Sequence, residues 1–303
     1  MSANTSYTIK MLEARITLAK GGFNPGTGQA ANTKIIRLGM DVEISKPGGK
    51  EKNKAKVRIY NLPLEDMETL TTLAFAPLKT DQNHIAVYAG DKQNGMTLAF
   101  SGDIVSAVPN FNAAPDPTFD CDCITGFVAS LTPVPPLTAQ GAQDVGNTLQ
   151  SIAGQMGLTF VNRGVNVALR NTCWVGGPME QARQIADAAR IALLVDDGEM
   201  IIAPPGMLRE DVGASTPLWR GDTGMFGYPS FDSNGISVKG LYEPKCKLGG
   251  PIRIESVVPK ASGLWQISSL SHKLQAGYPG ATSWETAVKA TYPGQQNQKD
   301  GKS

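Results

Sequence analysis

The sequence predicts a mainly β protein in which a small α/β domain is inserted between two β regions. Short runs with alternating apolar residues are separated by many Gly (33) and Pro (20) residues, which is typical of strands joined by turns. Helical spacing of apolar residues is concentrated after a proline-rich segment, LTPVPPL. We therefore predict a first β domain over 1–132, an α/β domain over 133–215, a second β domain over 216–294 and a disordered tail over 295–303.

The first β domain is predicted to contain six strands, which indicates a barrel or a sandwich. These strands are Glu13–Lys20, Lys34–Ile44, Ala55–Tyr60, His84–Gly90, Leu98–Val108 and Thr118–Phe127. The segment SKPGGKEKNK (45–54) between the second and third strands is rich in Gly and Lys. We expect it to project as a mobile, exposed hairpin loop.

The segment KVRIYNLPLEDMETL (56–70) predicts a strand followed by a short helix. Val57 and Ile59 would point to one face of the sheet. Pro63 fits the first turn of a helix, whose positive end suits the acids that follow. Apolar residues then recur every three positions, at Leu64, Met67, Leu70 and Leu73. We interpret the segment as scaffolding that lays one helix against the sheet.

The middle of the chain predicts two helix–strand units and a hairpin. Asp144 is a candidate N-cap for a helix with apolar residues at Val145, Leu149, Ile152 and Met156. Pro178 would open a second helix that carries Ala182, Ile185 and Ala189, and a strand over Ile191–Val195 follows. Asp197-Gly198 suits a tight turn, and Pro204-Pro205 would end the hairpin.

The second β domain is predicted from four further strands after a glycine- and proline-rich loop. They are Gly235–Tyr242, Pro251–Val258, Leu264–Leu274 and Ser283–Tyr292. The terminal GQQNQKDGKS has no apolar residue to bury, so it is predicted to be disordered.

Charge and composition exclude several broad classes. The 28 basic and 27 acidic residues give a net charge of +1, so the chain as a whole has no electrostatic reason to bind a polyanion or an anionic membrane. The amino terminus lacks the features of a secretory signal, and the apolar runs are too short to cross a bilayer. We expect the protein to begin in a cytoplasm with reduced thiols.

Two glycine-containing stretches imitate nucleotide-binding motifs. Gly26, Gly28 and Ala31 have dinucleotide-binding spacing, but a β pattern follows them where the motif needs a helix. Gly301–Ser303 imitates the end of a phosphate-binding loop, but no chain remains to form its helix. We interpret the first as a hairpin loop and the second as a tail.

Two clusters of possible metal ligands have simpler explanations. The acids of DDGE (196–199) could hold a hard cation, but a hairpin turn accounts for the same residues. Cys121 and Cys123 alternate along a strand and could supply two ligands, whereas a structural zinc site needs four. Because Cys173 and Cys246 are isolated, buried packing is the preferred interpretation of the thiols.

The sequence offers few groups for nucleophilic catalysis. Its only histidines, His84 and His272, lie in predicted strands outside any hydrolase motif, so we interpret them as structural. The four tryptophans are scattered among the strands, without the basic interleaving of a platform for single-stranded nucleic acid, and they suit packing: Trp174, Trp219, Trp265 and Trp284. We predict that the chain is not an enzyme, and we assign no catalytic, cofactor-binding or metal-binding residue.

The order of several motifs resembles baseplate hub proteins of long-tailed bacteriophages. In the first β region the likeness lies in a strand, an I-x-N-L type turn, a short helix and two further strands. Its residues are Ile59, Asn61 and Leu62, then Val87, Ala89 and Gly90, then Phe100, Gly102 and Ile104. Near the end, an L-x-x-P-x-x-x-L-G pattern is carried by Leu241, Pro244, Leu248 and Gly249.

This resemblance implies a structural role in a virion tail of the contractile type. It implies two hub-type β-barrel domains per subunit and a homotrimer whose six barrels form a pseudo-six-fold ring. The ring would join the tail tube to the central spike, contact wedge proteins and the tape measure protein, and let DNA pass without specific binding. Assembly would take place in the host cytoplasm, without a membrane anchor or cofactor.

Three rival interpretations stay open at this point. The nearest is the hub of a phage-derived contractile injection machine. The others are a baseplate cell-wall hydrolase, which would need a catalytic pair in a cleft, and a small-molecule binding module.

Overall fold

The structure is a computed structural model of the 303-residue chain. It describes residues 8–23, 32–49, 51–71, 82–112, 116–132, 134–207, 209, 212–213, 215–232 and 235–292. Within these ranges the protein is mainly β, as predicted.

The first part of the chain supplies seven strands and two short helices. The strands are β1 (Lys10–Thr17), β2 (Thr33–Ile36), β3 (Met40–Lys46), β4 (Lys54–Tyr60), β5 (His84–Asp91), β6 (Gly95–Asn110) and β7 (Thr118–Ile124). Helix α1 (Leu64–Leu70) follows β4, and α2 (Phe127–Leu131) follows β7. Neighbouring strands in this part are antiparallel, in the order β3-β4-β7-β6-β5-β1-β2.

The middle of the chain forms two small sheets and two longer helices. In chain order the elements are β8 (Leu137–Asp144), α3 (Val145–Gln155), β9 (Thr159–Asn162), β10 (Ala168–Trp174), α4 (Pro178–Ala189), β11 (Ala192–Asp196) and β12 (Glu199–Ala203). Strand β8 pairs with β10, and β12 lies between β11 and β9. The helices pack on these strands around a separate hydrophobic cluster that includes Leu149, Ile185 and Ile202.

The last part of the chain returns to β structure. Its strands are β13 (Leu218–Trp219), β14 (Met225–Asp232), β15 (Gly235–Leu241), β16 (Pro251–Ile254), β17 (Gly263–Ala276) and β18 (Trp284–Thr291). They form the order β14-β15-β18-β17, and β16 and β13 are added beside the first part of β17. Around them lies a second hydrophobic cluster that includes Trp219, Ile252 and Trp265.

The long strand β17 joins the two β regions into one 13-stranded sheet. Its first residues, Gly263–Gln266, pair with β16, and its last residues, Leu270–Ala276, pair with β3. Strand β18 pairs with β17 along its other edge. Leu274 and Ala276 at the end of β17 are part of the hydrophobic cluster of the first β region. The last part of the chain therefore helps to complete the core of the first.

Three local predictions need correction. Lys34–Ile44 is two strands, because the chain bends at Leu38 and residues 37–39 lie outside both strands. The segment MFGYPSFD (225–232), predicted as loop, is the edge strand β14. Strands β8 and β10 were not predicted, because LTAQGAQD has almost no apolar residue to mark a pattern.

The strand–helix interpretation of residues 56–70 is largely confirmed. Val57 and Ile59 are buried in the first cluster, and α1 begins directly after Pro63. Met67 and Leu70 are buried, but Leu64 is 67% exposed, so the predicted apolar stripe is shorter than expected. Leu73 lies outside the described residues.

The segment 45–54 is a hairpin loop between β3 and β4, as predicted, but it is only partly exposed. Lys46 and Asn53 at its two ends are buried. Gly48, at a φ of +75°, lies against β17, and a Cβ on it would be 2.2 Å from the carbonyl oxygen of Ser268. Close packing of the backbone therefore holds the loop, and the lysine content of the loop gave no sign of this.

We predict that Gly48→Ala destabilises the protein more than Gly49→Ala does. Both glycines have positive φ, which costs an alanine about 1–2 kcal/mol. Only Gly48 has a backbone atom where the new methyl would lie, whereas Gly49 has nothing within 4 Å. Thermal unfolding of the two variants would measure the difference, and equal midpoints would contradict the tight packing of the loop on β17.

Candidate functional site

A buried cluster of charges lies where the middle segment meets the large sheet. The Lys46 ammonium is 2.8 Å from Asp196 Oδ1 and 2.6 Å from Asp197 Oδ1. Arg209 reaches Asp196 Oδ2 at 2.6 Å and Glu199 Oε2 at 2.8 Å. We call Lys46, Asp196, Asp197, Glu199 and Arg209 the buried charge cluster; all but Glu199 have almost no exposed side chain.

The local sequence explains how these side chains meet. Alternation along β3 turns Met40, Val42 and Ile44 inward, and the next inward position is Lys46. The acids come from the β11–β12 hairpin, whose turn has positive φ at Asp197 (+50°) and at the glycine that follows. The hairpin interpretation of DDGE is thus confirmed.

A neighbouring amide completes the environment of Asp196. Asn53 Nδ2 donates to Asp196 Oδ1 at 3.0 Å, so this carboxylate is contacted by an ammonium, a guanidinium and an amide. Lys247 lies 3.9 Å from Asp197. Protein cations therefore occupy the carboxylate oxygens that a hard metal ion would need.

Burial and ion pairing act in opposite directions on the pKa values of the cluster. Burial alone would lower the pKa of Lys46, but attraction by Asp196 and Asp197 raises it above its ordinary value. Burial alone would raise the pKa of Asp196, but Lys46 and Arg209 lower it. The pKa of Asp197 is raised by burial, with repulsion from Asp196 in addition. Ion pairing thus favours the charged forms of Lys46 and Asp196, whereas burial prevails at Asp197.

His272 of β17 lies next to the cluster and is structural, as predicted. Its ring is buried, its Nδ1 is 2.8 Å from Thr286 Oγ1, and it packs edge-on against Tyr242 with 5.1 Å between ring centroids. Burial, with repulsion from the Lys46 charge, lowers the pKa of His272 to about 3. The imidazole is therefore neutral at physiological pH.

We predict that Lys46→Met strongly destabilises the protein, by about 3–5 kcal/mol, because it leaves the buried Asp197 carboxylate without its main partner. The matched control is Lys54→Met, which removes an exposed lysine at the start of β4 and should change stability by less than about 0.5 kcal/mol. Denaturant unfolding would measure both, and equal effects would contradict a structural role for the cluster.

We also predict that His272→Asn flattens the dependence of stability on pH. Between about pH 6.5 and 3 the unfolded chain binds a proton on His272 that the folded chain does not. The contribution of His272 to the unfolding free energy is therefore fully present above pH 6.5. It decreases as the pH falls, by up to about 1.4 kcal/mol per pH unit. Unfolding free energies at pH 7.5 and 5 would test this, and parallel profiles for the variant and the unchanged protein would contradict it.

The other candidates from the sequence are not assembled into a site. Cys121 and Cys123 are buried in the first cluster, and burial raises the pKa of Cys121 to about 12, so the packing interpretation is confirmed for both. It also holds for the buried Cys246 but is wrong for Cys173, which is exposed. Among the described residues no three side chains of the metal-binding types converge. The glycine-containing stretches at 26–31 and 301–303 lie outside the described residues.

Sequence reasoning missed one triad-like arrangement. His84 Nε2 is 3.0 Å from Ser101 Oγ, and its Nδ1 is 3.2 Å from Asp103 Oδ1. These residues lie on the paired strands β5 and β6, and none of them lines a described cavity. A nucleophile also needs positioned donors for an oxyanion, which a regular antiparallel ladder uses for its own hydrogen bonds. The arrangement explains His84 as a hydrogen-bonded surface histidine.

A groove of about 770 Å³ lies beside α3 in the middle segment. Leu137, Asp144, Ile152, Pro178 and Gln181 are among the residues that line it. Its walls combine prolines, amides and hydroxyl groups with a few aliphatic side chains and one carboxylate.

The two ends of the large sheet expose apolar side chains. Edge strand β14 presents Phe226, Tyr228 and Phe231, and Tyr228 is 70% exposed. The opposite edge, β2, presents Ile35, and Leu38 follows it. Exposed apolar groups along open strand edges are typical of surfaces that are covered in an assembly.

Residues that carry the hub resemblance occupy positions that determine the fold. Asn61 has a φ of +55°, which makes the turn between β4 and α1. Gly102 lies where a Cβ would be 2.8 Å from the ring of Phe100, so its small size makes room for that core residue. The Gly249 carbonyl accepts from the Arg209 backbone N–H at 2.9 Å, so this glycine helps to place the guanidinium of the buried charge cluster.

Comparison with known protein families agrees with the hub resemblance. A family model described as "Baseplate hub gp41" matches residues 20–277. No curated protein matches the chain by sequence.

Three solved structures share the fold at low identity. A tail protein from Neisseria meningitidis MC58 has a TM-score of 0.62 and 9% identity over 92% of this chain and 96% of its own. The 43 kDa tail protein of prophage MuSo2 from Shewanella oneidensis has a TM-score of 0.61 and 8% identity over 95% and 97%. A type VI secretion system component of E. coli has a TM-score of 0.54 and 8% identity over 84% and 73%. Among the described residues no helix could span a membrane.

Proposed function

Because the chain belongs to the baseplate hub gp41 family of structural tail proteins, we propose that it is the hub that joins the tail tube to the central spike and lines the channel for DNA ejection. Its place is then the tail baseplate of the virion. Its partners are the tube, spike and wedge proteins, and the tape measure protein during assembly. The observation that carries this proposal is the family match over most of the chain.

We propose further that the hub is a homotrimer closed by heterologous contacts. The large sheet of one chain ends in two different edges, β14 with aromatic side chains and β2 with aliphatic ones. Two unlike surfaces on one chain favour head-to-tail contacts, which close into a ring when the rotation allows. Closure would also cover both open edges.

A division of the chain into two similar β domains would give such a trimer a six-fold arrangement. We propose that 1–132 and 216–294 act as two tube-type β domains and that 133–215 is a peripheral α/β domain. Each β region contributes a hydrophobic cluster of its own. Three chains would then present six similar units to the tube.

The contact at β14 is more suited to side chains than to strand addition. The register of β14 against β15 shifts between Phe226 and Ser230, and Pro229 lacks a backbone donor. Aromatic residues are the side chains most enriched in the energetic centres of interfaces. Tyr228 is therefore the residue to test.

We predict that the purified protein forms a species of three times 32.1 kDa and that Tyr228→Lys weakens it at least about tenfold. Light scattering over a range of concentrations, with imaging of any ring, would measure this. The control is Val257→Lys, because Val257 is even more exposed (79%) but lies outside the strands. If Tyr228→Lys leaves the trimer unchanged, β14 is not part of the contact between subunits. A chain that stays monomeric with tube and spike proteins would refute the hub.

The main alternative is the hub of a phage-derived contractile injection machine. The structural likeness to a type VI secretion system component favours keeping it, although a likeness at 8% identity concerns the fold alone. The two roles share the architecture and differ in cargo. Neighbouring genes for a capsid and DNA packaging would separate them.

A cell-wall hydrolase receives less support from the geometry. The DDGE turn is the only faint candidate for its catalytic acids in the sequence, and Asp196 of this turn is fully buried and paired with Lys46 and Arg209. A general acid must be able to reach its substrate. We therefore propose a structural protein without catalytic residues.

A further inference from the structure

One exposed face of the large sheet carries charges in ordered rows. Paired residues in neighbouring strands point to the same face, so the register defines the rows. The first row crosses five strands, from β18 through β17, β3 and β4 to β7. In that order it reads Glu285, Lys273, Glu43, Lys56 and Asp122. The sign alternates at every step.

Two adjacent rows continue the pattern. The second consists of Gln275, Asp41, Arg58 and Asp120 across β17, β3, β4 and β7. The third contains Lys239 at β15 and Lys54 at β4, with small side chains between them. We call these three rows the ladder face. It holds five acidic and five basic side chains, so its net charge is zero.

The side chains of the ladder face contact one another across the strands. Lys273 Nζ lies 3.4 Å from Glu43 Oε1, and Arg58 Nε donates to Asp120 Oδ1 at 2.7 Å. Gln275 donates to Asp41 Oδ2 at 2.8 Å. Both partners in the Lys273–Glu43 pair are about half exposed, and such pairs contribute only about 0–1 kcal/mol each. The stability of the fold therefore does not explain the pattern.

The ladder face is also poorly suited to bind a protein. Of the strands in the ladder face, β18, β17, β3, β4 and β7 carry none of the large exposed apolar residues found among the described residues, and β15 carries one, Leu241, beside Glu285 at the end of the first row. The centres of protein interfaces are depleted of charged residues and enriched in aromatic ones. This surface has the opposite composition.

Alternating charges cancel at short range. Neighbouring strands are about 4.8 Å apart, so a given sign of charge recurs along the row every ~9.6 Å. The electrostatic potential of such a row decreases by a factor of e over a height of roughly 1.5 Å above the sheet, which is this repeat divided by 2π. Screening by salt alone would need about 8 Å. A polyanion that moves a few ångströms above the ladder face would be neither held nor repelled.

We propose that the ladder face lines the channel of the hub and that duplex DNA passes it. The inference rests on the proposed function and adds the surface and the physical reason for weak contact. Lys54, Lys56 and Arg58 follow one another along β4, but Lys56 and Arg58 each have an acid in register on both neighbouring strands. These acids weaken the attraction of the basic residues for phosphates. Overall neutrality of the chain does not require this arrangement, since it says nothing about where the charges lie.

The test reverses two acids of the first row, in Glu43→Lys/Asp122→Lys. This change leaves Lys56 with lysines on both sides and gives the face a charge of +4 per chain. A second variant, Glu43→Gln/Asp122→Asn, keeps the shape and adds only +2. The control, Glu65→Lys/Glu68→Lys, makes the larger charge change on exposed positions of α1.

Two measurements are needed for each variant. One is binding of the purified full-length protein to fluorescent duplex DNA as a function of salt. The other is the yield of assembled particles and their rate of DNA ejection. For the reversed variant we expect a salt dependence that is steeper by about 0.9 for each further phosphate that the protein neutralises, and ejection slowed at least about tenfold at normal particle yield. The neutralised variant should be intermediate and the control unchanged.

Other results would overturn the inference. Reversed, neutralised and control variants that all eject DNA at the same rate would show that the ladder face lies away from the path. Folded variants that fail to assemble, the neutralised one included, would make this face a protein interface. Failure of the hub role itself would be seen without any variant, as the absence of the unchanged chain from the baseplate of assembled particles.

Discussion

The pairing of β17 with β3 is the interaction on which most of the structure depends. It joins the two β regions into one sheet, although about 230 residues separate paired positions such as Gln275 and Asp41 in the chain. It also places His272 among buried groups near Lys46, and it aligns Lys273 with Glu43. Both the buried charge cluster and the ladder face would lose their geometry with a different register, because a shift of one residue turns every side chain of a strand to the other face.

The buried charge cluster shows how interactions that are no more stabilising than apolar packing can still fix the relative position of two parts of the fold. Removing charges from water is unfavourable, so an apolar cluster of the same shape could be equally stable. Buried charges, however, are tolerated only where their partners lie at suitable distances and angles, so they permit few arrangements of the surrounding elements. We infer that Lys46, Asp196 and Arg209 specify how the hairpin of the middle segment sits on the sheet, while Leu194 supplies apolar contact with the second cluster beside them.

The sequence predicts strands well where one face is buried, as in β4, β5 and β7, because burial imposes alternation. Asp144, Pro178 and the Asp197-Gly198 turn were also predictable, since each satisfies a local backbone requirement. Edge strands such as β8 and β14 lack alternation and were missed. The local sequence pattern of an edge strand does not show which strand it pairs with.

The candidate site was harder to predict than the fold, because Lys46 looks like one of several loop lysines until the register brings Asp196 beside it. The contacts of His84 and the rows of the ladder face likewise join residues from different strands, and a single sequence does not contain their register.

The ladder face has a consequence for the evolution of the chain. Because Glu43 lies between Lys56 and Lys273, a change of charge at this position alters the surroundings of two neighbouring strands at once. Substitutions on this surface should therefore be accepted mainly as compensating pairs, as in the paired stems of a folded RNA. Related chains would differ in which sign occupies each position while they keep the alternation itself.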